Sequence, residues 1–263
     1  MKLKIYQIDA FADKVFTGNY AAVIILEEWL SEELMQSIAM ENNLSETAFI
    51  KNTINNTYEI RWFSLLNEID FCGHATLASA HVLFEQDPTL KEVVFTAAAV
   101  GSLNVSCEKD GYIKMIFPNR KPKEIKVIPE AVIKGLSIAP KEVLLSQQAY
   151  FAIYENEADV YSVQPNLEEL KKLAPFDMVV TAASTKYDFI SRYFWPANGG
   201  DEDPVTGSIH TGLAPYWAEK LNRNELKAFQ ASKRGGLLLC NVTDENVILL
   251  GKAVKYLEGY IEI

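Results

Sequence analysis

Two nearly uncharged helical segments restrict the folds open to this chain more strongly than any other feature. The segment from Gly73 to about Glu85 reads GHATLASAHVLFE, and only its last residue carries a formal charge. A helix that is apolar on every side is stable in water only when other elements cover it. A second, mostly apolar helix is predicted from Gly207 to about Leu221. The chain therefore needs covering structure around each of two helices.

β-Strand patterns occur on both sides of these helices. Alternating and β-branched runs predict strands at residues 3–10 and 21–26, and later at 159–163 and 187–194. Between the two sets lies Pro118–Pro129, a segment with three prolines that is typical of a linker between domains. The same layout of strands around one helix therefore occurs twice.

This repeated layout predicts the fold class. We expect an α/β (α+β) protein of two similar domains, each with a mixed sheet wrapped around a central buried helix. The predicted domains are residues 1–118 and 119–255. The alternative is that two unrelated helices both begin at a glycine.

The charge balance and the cysteines limit the partners and the compartment. With 25 Lys and Arg against 35 Asp and Glu, the formal net charge is −10, which disfavours nucleic acid and anionic membranes as partners. The longest apolar run near the start, Ala21–Leu26, is too short to cross a bilayer. Cys72, Cys107 and Cys240 are widely spaced, so we expect reduced thiols in a cytoplasmic protein.

The starts of the two apolar helices are candidate anion sites. Backbone N–H groups in the first turn of a helix lack partners within it, and the helix dipole favours a negative ligand there. Gly73 and Gly207 would let a carboxylate approach the backbone closely. Domains related by a pseudo-twofold axis would place both starts in one cleft. The alternative is that each glycine only permits a tight turn.

Three side chains are candidates for acid–base chemistry. Glu46 precedes a predicted strand, Asp203 lies in a turn fixed by Pro204, and His74 follows Gly73. A carboxylate or imidazole held in place can carry a proton to or from a reacting carbon. Each acid also has an ordinary structural interpretation, as a surface carboxylate for Glu46 and as an Asx turn for Asp203.

The sequence contains no recognisable metal or cofactor motif. Cys72 and His74 are residue types that bind metals, but no second ligand pair has a recognisable spacing. There is also no GxSxG motif, no phosphate-binding loop and no GxGxxG motif. We therefore predict no metal and no cofactor.

Short motifs spread over nearly the whole chain match one known family. The chain resembles the PhzF-like proteins of phenazine biosynthesis, which share the diaminopimelate-epimerase fold. One departure is Tyr20, where the family usually has proline. The matching motifs are Ile8–Phe11 (IDAF), Gly18–Val23 (GNYAAV), Asn43–Phe49 (NLSETAF), Gly73–Leu77 (GHATL), Arg192–Phe194 (RYF), Glu202–Ser208 (EDPVTGS) and Arg234–Gly236 (RGG).

The resemblance implies a function and assigns residues to it. PhzF-like enzymes are cofactor-free isomerases that move a proton on a small carboxylated substrate, and they are typically homodimers. The family's catalytic glutamate corresponds to Glu46, with His74 and Asp203 as its partners. The resemblance also implies that the last strand, residues 256–263, crosses back to the first domain. The residues that hold the substrate carboxylate correspond to Gly73, Gly207 and Ser208.

Related racemases define the alternative functions. Diaminopimelate epimerases and proline racemases carry a cysteine at each helix start, and the corresponding positions here are Cys72 and Thr206. Because only one of the two is a thiol, a one-base shuttle through Glu46 is expected in place of a two-thiol mechanism. The alternatives are an amino-acid epimerase or racemase that uses Cys72 alone, and a non-catalytic protein of the same fold that binds small anions.

Overall fold

The computed structural model describes all 263 residues of the chain. These residues form two compact units. The N-terminal unit comprises Met1–Ile116 and Leu250–Ile263, and the C-terminal unit comprises Phe117–Leu249. The chain thus leaves the N-terminal unit once and returns to it for its last segment.

The chain contains eighteen strands and six α-helices, which are named here in chain order. In each unit, strands flank one long buried helix, Gly73–Gln86 in the N-terminal unit and His210–Leu221 in the C-terminal unit. The elements up to β8 are β1 (Lys2–Ala10), β2 (Asn19–Leu26), α1 (Glu32–Asn42), β3 (Glu46–Asn52), β4 (Thr57–Phe63), β5 (Glu68–Ile69), α2 (Gly73–Gln86), β6 (Glu92–Ala97), β7 (Gly101–Cys107) and β8 (Ile113–Pro118). The remaining elements are β9 (Lys123–Glu124), α3 (Glu130–Gly135), β10 (Glu142–Leu145), β11 (Ala149–Ile153), α4 (Glu157–Ser162), α5 (Leu167–Leu170), β12 (Asp177–Ala183), β13 (Phe189–Trp195), β14 (Gly200–Asp203), α6 (His210–Leu221), β15 (Glu225–Gln230), β16 (Gly236–Val242), β17 (Asn246–Gly251) and β18 (Ala253–Glu262).

The sheet of the N-terminal unit is mixed. Strand β1 pairs antiparallel with β2 on one side and with β18 on the other, so that Lys2 lies opposite Glu262 and Ala10 opposite Ala253. The β2–β3 and β4–β6 pairs are parallel, whereas β3–β4, β6–β7 and β7–β8 are antiparallel. The last long strand of the chain therefore completes the sheet that the first strand begins.

Helix α2 is the buried centre of the N-terminal unit. Eleven of its 14 residues are buried, and it packs against β1, β2 and β3. Ala75 and Ala78 have no exposed surface, and their small side chains leave room for the strands to pack closely. The prediction of an apolar helix covered by strands is confirmed here.

The C-terminal unit repeats this arrangement around α6. The β11–β12 and β13–β15 pairs are parallel, and β10–β11, β12–β13 and β15–β16 are antiparallel. Helix α6 is buried from His210 to Ala218 and packs against β15 and β16. A mixed sheet around one buried helix is thus present in both units, which confirms the predicted fold class.

Helix α6 begins at His210, three residues later than the sequence predicts. The backbone N–H groups of His210 and Thr211 donate to the carbonyls of Gly207 and Ser208, each at 3.1 Å, and so close tight turns. The first bond of α-helical spacing runs from Leu213 N to Ile209 O at 3.0 Å. Gly207 and Ser208 therefore lie in a turn ahead of the helix.

Pro215 lies inside α6 without leaving a backbone group unpaired. Proline has no N–H, so the carbonyl of Thr211, four residues earlier, loses its usual helical donor. The N–H of Arg120 donates to that carbonyl at 3.0 Å instead. The loop that contains Arg120 thus stabilises a helix that proline would otherwise weaken.

The predicted strand at residues 159–163 is wrong, because the chain forms helix α4 there. Val160 packs inward from this short helix. The guanidinium of Arg192 donates to the carbonyls of Val160 and Val163 at 3.2 and 2.8 Å. The contacts that stabilise the end of α4 thus come from a residue distant in sequence, which a local pattern cannot reveal. None of the six helices combines the length and apolar character needed to span a bilayer.

Candidate active site

Glu46 is a buried carboxylate at the first position of β3. It is 6% exposed and lies opposite Ala21 of the parallel neighbour β2. Asn43 ends α1 in the left-handed conformation (φ 51°), and the chain then enters β3. Burying a charged carboxylate is costly unless a partner compensates for the lost water.

His74 is that partner. It is the second residue of α2, and its Nε2 atom lies 2.8 Å from Oε2 of Glu46, with both side chains less than a tenth exposed. Oε2 is nevertheless left without an aligned hydrogen-bond donor. The carboxylate is therefore held by charge beside the imidazole while one oxygen keeps the capacity to accept a proton.

Cys72 completes this cluster as a neutral thiol. Its sulfur lies 3.4 Å from Nδ1 of His74 at the start of α2. Burial, together with the negative charge of Glu46, raises the pKa of the Cys72 thiol above its ordinary value. A thiol that keeps its proton at neutral pH is a poor base.

The same surroundings favour the charged form of His74. Burial by itself favours the neutral ring, but the Cys72 sulfur and the Glu46 carboxylate outweigh it and raise the pKa of His74 well above its ordinary value. Because the thiol of Cys72 holds its proton, the negative charge that stabilises the imidazolium comes from Glu46. The two side chains therefore form an ion pair.

Asn19 belongs to the site, although the sequence gave no reason to assign it a role. Its side chain is fully buried, and Nδ2 lies 3.2 Å from Nδ1 of His74. Ser45 Oγ donates to Asn19 Oδ1 at 3.0 Å. Asn19 thus contacts the edge of the imidazole ring at Nδ1, whereas Glu46 contacts it at Nε2. Its place in the Gly18–Val23 motif was the only signal that could have identified it.

The three side chains of this cluster also form a set of metal-ligand types. One donor atom each from Glu46, Cys72 and His74 lies within 4.8 Å of the others, and all three residues are buried. Carboxylate, thiolate and imidazole are the ligands of protein zinc sites. The sequence showed only the Cys72–His74 pair, because Glu46 lies on another strand.

A second group of predicted residues lies in the C-terminal unit. Asp203 ends β14, and its Oδ2 accepts a hydrogen bond from Oγ1 of Thr206. The amide of Gln230 braces this turn: its Nε2 donates to the carbonyl of Asp203, and its Oε1 accepts from the N–H of Thr206, both at 2.8 Å. The hydroxyl at the position of the second racemase cysteine is thus committed to Asp203.

The three consecutive acids before Pro204, residues 201–203, do not lie together as one cluster of carboxylates. Glu202 forms a two-point pair with Arg192, through Nε at 2.8 Å and Nη2 at 2.9 Å. Asp201 is exposed, whereas Asp203 turns toward Thr206. Of the three acids, Asp203 is the one placed beside the turn that contains Gly207 and Ser208.

The structure thus divides the predicted site residues between the two units. Glu46 and His74 contact each other in the N-terminal unit, and the buried Gly73 lies next to His74 at the start of α2. In the C-terminal unit Gly207 is buried and Ser208 is half-buried, in the turn that follows Asp203. Each group pairs a carboxylate with backbone N–H groups at or near the start of a buried helix, an arrangement suited to proton transfer on an anion.

Comparison with known proteins identifies the class to which this fold and site belong. The sequence profile of the phenazine biosynthesis-like proteins, the PhzC–PhzF family, matches residues 8–259. An uncharacterized isomerase of Pseudomonas aeruginosa is 43% identical over 263 residues, which is all of both chains. The chain belongs to the PhzF-like family of isomerases, and the predicted family and enzyme class are confirmed.

Solved structures agree with this assignment. A PhzF-family protein of Enterococcus faecalis is 41% identical, covers 100% of both chains and has a TM-score of 0.94. A hydroxyproline epimerase of Agrobacterium vitis, with bound trans-4-hydroxy-L-proline, is only 8% identical, covers 99% of this chain and 92% of its own, and has a TM-score of 0.63. The second comparison shows that the fold extends to the epimerases.

Proposed function

We propose that this chain is a cofactor-free isomerase that moves a proton on a small carboxylate-bearing substrate, with Glu46 as the acid–base group. The observation that carries the proposal is the buried ion pair of Glu46 and His74, in which Oε2 of Glu46 has no aligned donor. Glu46 takes a proton from one substrate carbon as the C–H bond breaks. The electron pair of that bond shifts an adjacent double bond of the substrate by one position, and the same oxygen returns the proton to the carbon at the far end of that double bond.

The neighbouring residues have supporting roles in this proposal. His74 stabilises the charged form of Glu46 and orients it, since the two atoms are 2.8 Å apart. Asp203 orients the substrate, and the turn at Gly207 and Ser208 binds its carboxylate together with Gly73 at the start of α2. In this proposal the functional enzyme is a homodimer.

Positioned proton transfer accounts for a useful share of catalysis on general grounds. A side chain that carries a proton in the transition state accelerates a reaction by about 10²–10⁴-fold. Hydrogen-bond donors aimed at the developing negative charge add a factor of about 10²–10³. Neither contribution requires a metal or an organic cofactor.

A racemase that uses Cys72 is the alternative with a specific observation behind it, because the sulfur lies 3.4 Å from the imidazole of His74. Two observations favour Glu46 as the base. Burial raises the pKa of the Cys72 thiol, which disfavours the thiolate. Thr206, at the opposite racemase position, has its hydroxyl committed to Asp203. A protein that only binds anions is a further alternative, and it would not need a buried carboxylate at Glu46.

The proposal is tested by incubating the protein in D₂O with a panel of small cyclic and amino-acid-like carboxylates and following deuterium incorporation by NMR. We expect incorporation or relocation at carbon that continues in the presence of a chelator. Glu46→Gln keeps the size of the side chain but cannot accept the proton, so kcat should fall by about 10²-fold or more.

Glu41→Gln is the matched control for this variant. Glu41 is an exposed acid in α1, and its replacement makes the same change in charge five residues away. Its turnover should equal that of the wild type. Equal turnover of Glu46→Gln and the wild type would refute the one-base mechanism. Carboxylate binding without any exchange would favour the anion-binding alternative.

A further inference from the structure

A chain of four polar side chains in the C-terminal unit ends at Ser208. Gln148 Nε2 donates to the hydroxyl oxygens of Tyr193 and Ser208, each at 2.9 Å. Tyr193 in turn donates to Oδ2 of Asp177 at 2.5 Å. We call Asp177, Tyr193, Gln148 and Ser208 the Ser208 chain. The sequence assigned no role to any of its first three members, although Tyr193 lies in the Arg192–Phe194 motif.

The direction of every hydrogen bond in the Ser208 chain follows from Asp177. Burial raises the pKa of Asp177, but two donors oppose this effect and stabilise the carboxylate: Asn198 Nδ2 donates to Oδ1 at 2.7 Å, and Tyr193 donates to Oδ2. The carboxylate acts as an acceptor at both oxygens. A phenol has one proton, and burial raises the pKa of Tyr193 well above its ordinary value, so that proton is retained and points at Asp177. The oxygen of Tyr193 can then only accept from Gln148.

This constraint settles the orientation of the Gln148 amide. The oxygen and nitrogen of a glutamine side chain are distinguished by their hydrogen-bond partners, and here Tyr193 requires the NH₂ group. That NH₂ group has two hydrogens, and the second one points at Ser208. Ser208 Oγ therefore accepts from Gln148, and its own proton is left available to a ligand.

We infer that the Ser208 chain fixes the Ser208 hydroxyl as a hydrogen-bond donor, so that this turn selects an anionic carboxylate over a neutral group of the same shape. The inference rests on the proposed role of Ser208 in substrate binding. It makes Gln148 a positioning residue, since Gln148 acts through Ser208 and has no part in moving the proton. With the amide reversed, Ser208 would donate its proton to Gln148. Only the lone pairs of the Ser208 oxygen would then face the ligand, and they would repel an anion.

The test uses the full-length protein and two probes of nearly equal shape, 4-fluorobenzoate and 4-fluorobenzamide, with affinity measured by ¹⁹F NMR titration. We expect the wild type to prefer the carboxylate. Gln148→Glu places an acceptor opposite Ser208 and should weaken carboxylate binding by at least 10-fold. Gln148→Met removes the donor without adding charge and should weaken it by a smaller factor.

The pH dependence distinguishes this role from a purely structural one. Acidification to a pH at which the introduced carboxyl of Gln148→Glu is protonated while the benzoate probe is still charged lets that carboxyl donate to Ser208, so carboxylate binding should recover there. Gln148→Met should show no such recovery. Gln164→Glu is the matched control, because Gln164 is exposed and its replacement makes the same charge change in the same unit. It should bind like the wild type.

The outcomes separate this inference from the proposed function. Carboxylate binding that depends on Gln148, in a protein that exchanges no carbon-bound proton, would support the inference and refute the isomerase mechanism. A wild type without preference for the carboxylate, or a folded Gln148→Glu that binds it within twofold of the wild type, would overturn the inference. With a substrate in hand, Gln148→Met should raise KM and leave kcat nearly unchanged.

Discussion

A single thiol, Cys72, distinguishes the proposed one-base mechanism from the racemase alternative. Its sulfur lies 3.4 Å from Nδ1 of His74, but its pKa is raised by burial and by the charge of Glu46. If Glu46 is the base, Cys72→Ser should keep turnover within about 10-fold of the wild type, because one hydroxyl replaces one neutral thiol. Steady-state kinetics on any substrate accepted by the wild type checks this.

The half-exposed Cys107 provides the control, since Cys107→Ser removes a thiol from β7, outside the contacts of Glu46 and His74. That variant should retain full activity. Abolished turnover in Cys72→Ser alone, with unchanged folding by circular dichroism, would favour the racemase mechanism.

His210 is a second histidine whose environment determines its charge. It is fully buried, Nδ1 lies 2.9 Å from the Thr206 carbonyl, and Nε2 has no partner. Burial lowers the pKa of His210 from 6.5 to about 4, against a smaller opposing effect of the Thr206 carbonyl. The neutral ring should therefore donate from Nδ1, whereas His74 should stay protonated at pH 7. The ¹⁵N shifts of the two imidazoles check both statements.

The lowered pKa of His210 predicts how stability depends on pH. Between pH 6.5 and about 4 the unfolded chain binds a proton at this residue and the folded chain does not, so the free energy of unfolding falls as the pH falls. A shift of this size corresponds to about 3 kcal/mol. His210→Asn keeps a donor for the Thr206 carbonyl but does not titrate. Urea unfolding at pH 7 and pH 4.5 should show a smaller loss on acidification in this variant, and an equal loss would contradict the prediction.

At this scale the sequence predicted roles for the charged residues of the candidate site but not for the amides that contact them. Glu46 and His74 stand in motifs, and their contact is the main feature of the N-terminal site. Asn19 and Gln148 went unassigned because their roles arise from partners 55 and 60 residues away. A buried amide becomes informative only when the groups that it bridges are known.

Among the helices, α6 shows how packing overrides local preference. Glycine within a helix normally costs about 1 kcal/mol relative to alanine. At Gly212, however, an added Cβ would lie 2.7 Å from the ring of Phe151 and 3.1 Å from the carbonyl oxygen of Arg120. Gly212→Ala should therefore destabilise the protein, by about 1–3 kcal/mol. Thermal and urea unfolding measure the change.

Gly259 in β18 is the matched control for this substitution. A Cβ added there meets only Leu257 Cδ2, at an ordinary 3.8 Å. Gly259→Ala should leave the free energy of unfolding unchanged or raise it slightly, because alanine restricts the unfolded chain. A stabilised Gly212→Ala would show that helix propensity prevails over packing in α6.

The difference between local sequence preference and tertiary contacts also explains which elements the sequence predicted correctly. The two apolar helices are predictable because a helix that is apolar on every side must be buried. The start of α6 was displaced to His210 because the turn at Gly207 and Ser208 closes with bonds of shorter spacing. Helix α4 was mistaken for a strand because its end depends on Arg192, and no pattern within residues 159–163 records that contact.

At the scale of the whole molecule, the chain returns to its first unit, and this return determines which segments the N-terminal unit needs in order to fold. The N-terminal unit consists of two separated stretches, whereas the C-terminal unit is continuous in sequence. Strand β18 pairs with β1 along nearly its entire length. The repeated layout of strands around one apolar helix predicted two domains, but the resemblance to known proteins was needed to predict that the last strand crosses back.

This connectivity predicts how the N-terminal unit behaves when it is divided. A fragment of residues 1–116 lacks β18, so β1 exposes an unpaired edge, and such edges promote aggregation. We expect this fragment alone to be aggregated or poorly folded, with poorly dispersed amide NMR signals. Joining residues 250–263 to it through a flexible linker should restore dispersed signals and cooperative unfolding, because the sheet regains its partner strand. A scrambled 250–263 segment of equal composition is the control. A fragment of residues 1–116 that unfolds cooperatively by itself would show that the core around α2 is sufficient without the returning strand.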